Sequence, residues 1–358
     1  MTEALEELVS CESPSSDTSA TRACGSVLAG LAHQHLDATP ELLEVGGRTH
    51  VRFSWGTPRV LLLGHLDTVW PLGTLARWPF SVDGDIATGP GVFDMKAGIV
   101  QALAALSLLS SLDGLCLLLN ADEEIGSPTS RDLIIDSARG CHAALVCEPS
   151  AGGALKTARK GIAMYDVNIV GRAAHAGLEP EKGINASIAL AHAIIGVSTL
   201  GNPALGTTVT PTVLSGGTTM NVVPAAARAS LDVRAVLPAE FPRVESDLHA
   251  ALTAASEAVP GVSMTLTGGV NRPPLDPASS AELFSTAVRI ATGLGMPALH
   301  GVSVGGGSDG NFTAGAGVPT LDGLGPVGDG AHAEGEHVVL SAMEPRARLL
   351  AALIEEVR

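Results

Sequence analysis

The sequence predicts an α/β fold, a mainly parallel sheet flanked by helices, interrupted by an inserted α+β sandwich. Three observations carry this expectation. Residues 59–63, 115–120 and 143–147 are compact apolar runs without alternation, as strands covered on both faces are. Helix-spaced segments separate them, giving the strand–helix alternation of a parallel sheet. After about Lys156 the strands alternate apolar and polar, as half-buried strands do, and beyond Gly269 the first pattern resumes.

Residues 3–9 and 18–31 have helical spacing, and Ser13-Pro14-Ser15-Ser16-Asp17 is a turn able to cap the second helix. Short strands are expected at 41–45 and 50–55. The run 59–63 ends in Gly64-His65-Leu66-Asp67-Thr68-Val69. A turn-rich stretch, 71–85, leads to Gly89-Pro90-Gly91-Val92-Phe93-Asp94-Met95-Lys96-Ala97-Gly98, with a long helix expected to begin near Asp94. Strand 115–120 runs into Asp122-Glu123-Glu124-Ile125-Gly126, followed by a helix at 129–138 and strand 143–147, which ends at Glu148-Pro149. The insert offers strand 162–170, helix 183–200, strands 207–214 and 226–236, helix 240–259 and strand 262–267. The last part holds helix 281–293, the glycine-rich 305–310, strand 318–321, His332 and helix 341–357. The expected boundaries are 1–157, 158–268 and 269–358.

The formal net charge of −16 argues against nucleic acid or an anionic membrane as partner. The longest apolar region, 97–112, is broken by Gln101, Ser107, Ser110 and Ser111, so a buried helix is expected and not a membrane span. Residues 1–10 are acidic and amphipathic, unlike a secretory leader, and a cytoplasmic location is expected. Cysteine is present five times, an odd number without paired short spacing. Reduced thiols fit that usage better than a disulfide framework or a cysteine–zinc site.

The chemistry centres on Glu123 and Glu124. Two adjacent carboxylates just past a buried strand are costly to desolvate, so a compensating cation is expected there. His65, Asp94, Glu124, Glu148 and His332 all offer ligands near expected strand ends. Singly each is weak; together they suit zinc, and they suffice for two ions if one carboxylate bridges. In a strand, residues i and i+2 share a face, so Asp67 could accept the other ring N–H of His65. A solvated loop aspartate is the alternative for that pair taken alone.

The stretches 64–69, 89–98 and 122–126, with Cys147-Glu148-Pro149 and Gly171-Arg172-Ala173-Ala174-His175-Ala176-Gly177, resemble the M20 metallopeptidase family. That family includes glutamate carboxypeptidase, acetylornithine deacetylase, succinyl-diaminopimelate desuccinylase and aminoacylase. The resemblance runs in order from about residue 8 to the C-terminus. It implies a catalytic zinc-binding domain in two parts, 1–157 and 269–358, around a dimerisation or lid domain at 158–268. It also implies a co-catalytic zinc pair, for which cobalt or manganese could substitute. His65 and Glu148 would hold one ion, Glu124 and His332 the other, with Asp94 bridging. Such a pair makes a bridging water nucleophilic near neutral pH. Glu123 matches the general base, and Asp67 the carboxylate behind His65.

In the insert, His175 would enter the partner subunit's site and donate to the tetrahedral oxyanion; the alternative is a loop histidine between two glycines. Asn221 matches a position near the substrate. Arg234 matches an arginine that reads a substrate carboxylate, or equally forms an interdomain salt bridge. Arg272, in Asn271-Arg272-Pro273-Pro274, is a second carboxylate reader. Gly306 and Gly307 lie in a loop that either presents N–H groups to an anion or is a tight turn required by packing. Val69-Trp70-Pro71-Leu72-Gly73, the unbroken Asp122-Glu123-Glu124 and Arg272 point to the glutamate carboxypeptidase branch. Ala174 and Ala121 depart from the residues many relatives carry, and neither is a ligand.

The resemblance therefore implies a zinc-dependent amide hydrolase for a small substrate with a free carboxylate, an N-acyl amino acid or a short peptide, working as a homodimer. An N-acyl-amino-acid deacylase or deacetylase would use the same metal pair. A catalytically silent ligand-binding relative is a third reading, and loss of the base or of a ligand would signal it. No strand is followed by the Gly-x-Gly-x-x-Gly pattern that a dinucleotide-dependent oxidoreductase needs.

Overall fold

The central sheet is buried on both faces, which is why its strands read as uninterrupted apolar runs. The computed structural model describes residues 1–358. In chain order it forms α1 (Thr2–Val9), α2 (Thr18–Leu36), β1 (Glu41–Val45), β2 (Arg48–Trp55), β3 (Val60–His65), β4 (Ser81–Asp83), β5 (Ile86–Thr88), α3 (Ala97–Ser107), β6 (Leu115–Asn120), α4 (Arg131–Ala138), β7 (Ala143–Val146) and β8 (Leu155–Arg159). Next come β9 (Gly161–Val170), α5 (Ala186–Val197), β10 (Thr208–Gly216), β11 (Ala226–Ala235), α6 (Glu240–Ala258) and β12 (Ser263–Arg272). The chain closes with α7 (Pro277–Gly293), β13 (Gly301–Val304), α8 (Gly310–Gly315), β14 (Thr320–Leu321), β15 (Gly328–Asp329), β16 (His337–Val339) and α9 (Leu340–Val357). Two compact units result: Met1–Arg159 with Leu275–Arg358, and Lys160–Pro274.

In the larger unit the six-stranded order is β1-β2-β6-β3-β7-β14. β6, β3, β7 and β14 are parallel, while β1 and β2 join antiparallel at one side. Alternate residues of each central strand feed two different cores. Val60, Leu62, Leu117 and Leu145 pack with residues of α1, α2, α3 and α9. Leu61, Leu63, Leu118 and Val146 face Ile134 of α4 and Phe312 of α8. The α2 helix starts where its cap directs: Asp17 accepts the N–H groups of Ser19 and Ala20, both at 2.9 Å. No helix is long and apolar enough to cross a membrane.

The smaller unit is one antiparallel sheet, β10-β11-β9-β12, with α5 and α6 on one face. Its alternation shows in β9, where Ala163, Tyr165, Val167 and Ile169 are buried among helix residues while Met164 and Asn168 are exposed. Asn185 caps α5 by accepting the N–H groups of Ser187 and Ile188.

Three features depart from the sequence expectation. The helix expected near Asp94 becomes regular only at Ala97, because the φ of −112° and ψ of 96° at Asp94 are extended. The turn-rich stretch 71–85 also holds β4, which joins β5, β15 and β16 in a small sheet of strands too short to show a period. The strand expected to stop at 267 continues to Arg272, because β12 pairs with β9 along its length, and the smaller unit accordingly reaches Pro274.

Candidate active site

Parallel pairing aligns the ends of β3, β6 and β7, with His65 opposite Asn120 and Leu63 opposite Val146. The residues just beyond each of these strands therefore emerge at one edge of the sheet, where such folds gather their reactive groups. His65 closes β3, Glu123 and Glu124 form a short turn after β6, and Glu148 lies just past β7. Asp94 comes from the distorted turn ahead of α3, and His332 from the loop between β15 and β16.

These side chains converge. His65 Nε2 stands 3.2 Å from Asp94 Oδ1 and 3.6 Å from Glu148 Oε1. His332 Nε2 stands 3.0 Å from Glu124 Oε2 and 3.4 Å from Asp94 Oδ2. Potential ligand atoms of His65, Asp94 and Glu124, and of His65, Glu123 and Glu148, lie within 4.8 Å of one another. Tetrahedral ligands about 2.1 Å from one ion stand about 3.4 Å apart, so the spacing fits metal. Glu124 Oε1 is buried without a hydrogen-bond partner, an orphan acceptor that a cation would satisfy.

The electrostatics agree. Burial, with the Asp94 charge added, pushes Glu148 up to about 8. Burial likewise raises Glu124 to about 7 despite its bond to His332. Burial would also raise Asp94, but His332 and His65 override it and hold that carboxyl far below its ordinary range. Hydrogen bonds to Asp94 and Glu124 lift His332 to about 10. Burial acts to lower His65, and Asp67 and Asp94 outweigh it, leaving the imidazole well above its ordinary value. Buried carboxylates this close together favour added positive charge.

Asp67 lies behind His65 and does more besides. The nearer acceptor for His65 Nδ1 is the backbone carbonyl of Asp67 at 2.9 Å; the carboxylate Oδ1 is 3.5 Å away. The chain turns beyond β3, so the i, i+2 relation of a continuing strand does not hold. The fully buried Asp67 carboxylate also accepts the N–H groups of Glu123 and Glu124, each at 3.2 Å, and the Ser15 hydroxyl at 2.6 Å. It holds the turn that presents the paired glutamates. Asp122 braces the same turn from below, accepting the Thr129 N–H at 2.7 Å and the Ser130 hydroxyl at 2.5 Å.

Glu336 escaped sequence reasoning. Its fully buried carboxylate accepts the N–H groups of Gly91 at 3.0 Å, Phe93 at 2.8 Å and Asp94 at 2.9 Å, and the Trp70 indole N–H at 2.8 Å. It lies four residues past His332 and so ties the loops of two candidate ligands together. The short spacing to His332 was the only signal available. Arg159 was also missed. Its guanidinium pairs with Asp322 at 2.7 Å and reaches Glu148 Oε2 at 3.5 Å, while Lys156 stands 4.0 Å from the same oxygen.

The glycine loop packs on a buried arginine: the Gly306 and Gly307 carbonyls accept from Arg159 Nη1 at 3.1 and 3.2 Å. In the smaller unit, His175 and Asn221 are brought together: His175 bridges Val222, and the Ala176 N–H meets the Asn221 carbonyl at 2.9 Å. His175 Nδ1 accepts the N–H groups of Gly177 and Leu178, both at 3.1 Å, so its proton sits on Nε2. Arg234 forms a two-point pair with Asp232 on its own strand, at 2.9 and 3.2 Å. Arg234 and Arg272 flank Ile162 in register from opposite sides, forming one row across the sheet.

Comparison with known proteins agrees with this geometry. Residues 61–356 match the profile of Peptidase family M20/M25/M40. The chain is 32% identical over 367 residues to Carboxypeptidase G2 of Pseudomonas sp. (strain RS-16), covering 99% of this chain and 88% of that one. It is 29% identical over 225 residues to acetylornithine deacetylase of Proteus mirabilis, covering 58% of this chain and 57% of the relative. Its fold is similar to that of an M20 family metallo-carboxypeptidase, Sso-CP2 from Sulfolobus solfataricus, with a TM-score of 0.81 at 16% identity, covering 99% of this chain and 98% of that one. The chain belongs to Peptidase family M20/M25/M40 and is a metal-dependent hydrolase.

Proposed function

We propose that this protein cleaves the amide or peptide bond of a small substrate with a free carboxylate, as a glutamate carboxypeptidase-like enzyme of two metal ions. One observation carries the reading. The Asp94 carboxylate divides its oxygens, Oδ1 toward His65 and Oδ2 toward His332, as a bridge between two ions would. His65 and Glu148 would complete one ligand set, and Glu124 and His332 the other, with zinc the expected metal and cobalt or manganese able to share the site. When bound, such ions polarise the scissile carbonyl and acidify water.

The remaining work falls to the chain. Glu123, beside His65 and Glu148, takes the proton of the attacking water and returns it to the leaving nitrogen. Asp67 holds the backbone from which Glu123 projects. His175, protonated on Nε2, donates to the oxyanion of the tetrahedral intermediate in the partner subunit of a homodimer built through residues 158–268. Asn221, whose carbonyl accepts the Ala176 N–H next to His175, is assigned a place near the substrate. Arg234 and Arg272, in their shared row, are the carboxylate readers. The Gly306 and Gly307 loop either presents N–H groups to the substrate or serves to pack Arg159, whose Nη1 its carbonyls hold. All five cysteines are free thiols, in keeping with the cytoplasm.

The similarity to acetylornithine deacetylase supports a second reading, an N-acyl-amino-acid deacylase on the same ligands. A screen of N-acyl amino acids and dipeptides against the metal-loaded enzyme separates the two by which bond is cut. Glu123→Gln tests the shared mechanism: it should keep both ions and lose turnover by about 10²–10⁴-fold. Full turnover in that variant would overturn the role of Glu123.

A further inference from the structure

A cavity of about 460 Å³ lies in the larger unit, and none of the candidate metal ligands lines it. Its wall is largely apolar, with Met296, Leu299, Val327 and Ala342 contributing. Arg346 of α9 is the one lining residue with a permanent charge, and it is 3% exposed. Its Nε donates to the Gly325 carbonyl at 3.1 Å, Nη1 to Gly153 at 3.2 Å and Nη2 to Gly323. A guanidinium carries five N–H donors, so these three bonds leave two without a protein acceptor.

The contrast with Arg159 is informative. Arg159 is equally buried and meets the Asp322 carboxylate through two bonds, at 2.7 and 3.1 Å. Arg346 meets only carbonyl dipoles, and burial with no counter-ion pushes its guanidinium down to about 10. A buried cation without an anion is costly to maintain. An anionic group reaching it would gain a charge-assisted bond in a low-dielectric setting.

We propose that this cavity binds a small apolar monocarboxylate, with its carboxylate on Arg346 and its hydrocarbon body against Met296, Leu299 and Val327. The volume falls in the range of small-molecule sites, roughly 300–1,000 Å³. Charge selects an anion over a neutral ligand, because the remaining guanidinium N–H groups are matched by acceptor oxygens carrying negative charge. The apolar remainder of the wall selects a hydrocarbon body over a second polar group.

Calorimetric titration of the metal-loaded enzyme with 4-methylpentanoate, and in parallel with 4-methylpentanamide, tests this. The carboxylate should bind saturably, and the amide at least about tenfold more weakly. The catalytic centre could also accept a carboxylate, so Ala342→Phe, which fills this cavity alone, separates the two sites. It should keep kcat/KM and weaken carboxylate binding at least about tenfold. Arg346→Met should lose the same binding. Because removing its carbonyl contacts can also unfold the chain, Ala342→Phe carries the decision. Undiminished binding in Ala342→Phe, equal binding of the amide, or no saturable binding to the native enzyme would each overturn the proposal.

Discussion

Glu336 and Asp94 are joined through the backbone: the buried Glu336 carboxylate accepts the Asp94 N–H at 2.9 Å, and the same oxygen accepts that of Phe93 at 2.8 Å. The other oxygen takes Gly91 and the Trp70 indole. Both oxygens are thus committed as acceptors, and a neutral amide cannot replace them, since its NH₂ would face N–H donors. Glu336→Gln should fold yet bind metal about 10–100-fold more weakly, with kcat falling more than KM rises. Unchanged metal affinity by calorimetry would show that the loop keeps Asp94 in place without Glu336.

Asp67→Asn sets a comparable conflict against the N–H groups of Glu123 and Glu124. Turnover should drop about 10–100-fold while metal stoichiometry holds. Ser15→Ala removes only the hydroxyl at 2.6 Å and should cost about 1 kcal/mol of stability with a small effect on rate. A rate loss in Ser15→Ala matching that of Asp67→Asn would show that the backbone contacts are not what matters.

Metal binding should release protons. In the metal-free chain, burial raises Glu148 from 4.5 to about 8 and Glu124 from 4.5 to about 7, while hydrogen bonds raise His332 from 6.5 to about 10. A raised folded-state pKa contributes stability at low pH that is lost as pH climbs through the window between the two values. Metal-free protein should therefore lose stability from about pH 4.5 to 8 through the two glutamates, and through His332 from about 6.5 to 10. Loaded protein should not show that decline. Titrating metal at pH 7 in two buffers of different ionisation enthalpy reads the released protons directly; buffer-independent heats would contradict the account.

His175 carries a prediction about assembly. Subunits with His175→Ala and subunits with Glu123→Ala should each be inactive, and mixing them should restore activity in heterodimers, each of which retains one intact site. No recovery, with mixed dimers confirmed, would remove its action across subunits.

Gly98 shows how closely α3 approaches β7: a Cβ there would stand 2.1 Å from the Cys147 carbonyl, next to Glu148. Gly98→Ala should destabilise the protein by about 1–3 kcal/mol and weaken metal binding with it. Denaturant unfolding at native midpoint would show that the helix shifts without cost.

The sequence by itself determined the layered α/β plan and the candidate ligands, because burial on two faces writes continuous apolar runs and because the ligand-bearing motifs are local. It also marked Glu123 and Glu124 as a pair in need of a cation. It could not show which oxygen of Asp94 meets which histidine, since the extended backbone at Asp94 interrupts an otherwise helical pattern. It placed the Asp67 carboxylate behind His65, where it stands 3.5 Å from Nδ1, but not the turn after β3 that also aims it at the N–H groups of Glu123 and Glu124. It left the Gly306 and Gly307 loop open between N–H donation and a turn required by packing, and only the structure shows their carbonyls on Arg159. Glu336, Arg159 and Arg346 stayed silent because each acts through groups distant along the chain, many of them backbone atoms that every residue possesses. Only tertiary structure decides such partnerships, because a buried charge is satisfied by whatever donors or acceptors folding brings within about 3 Å.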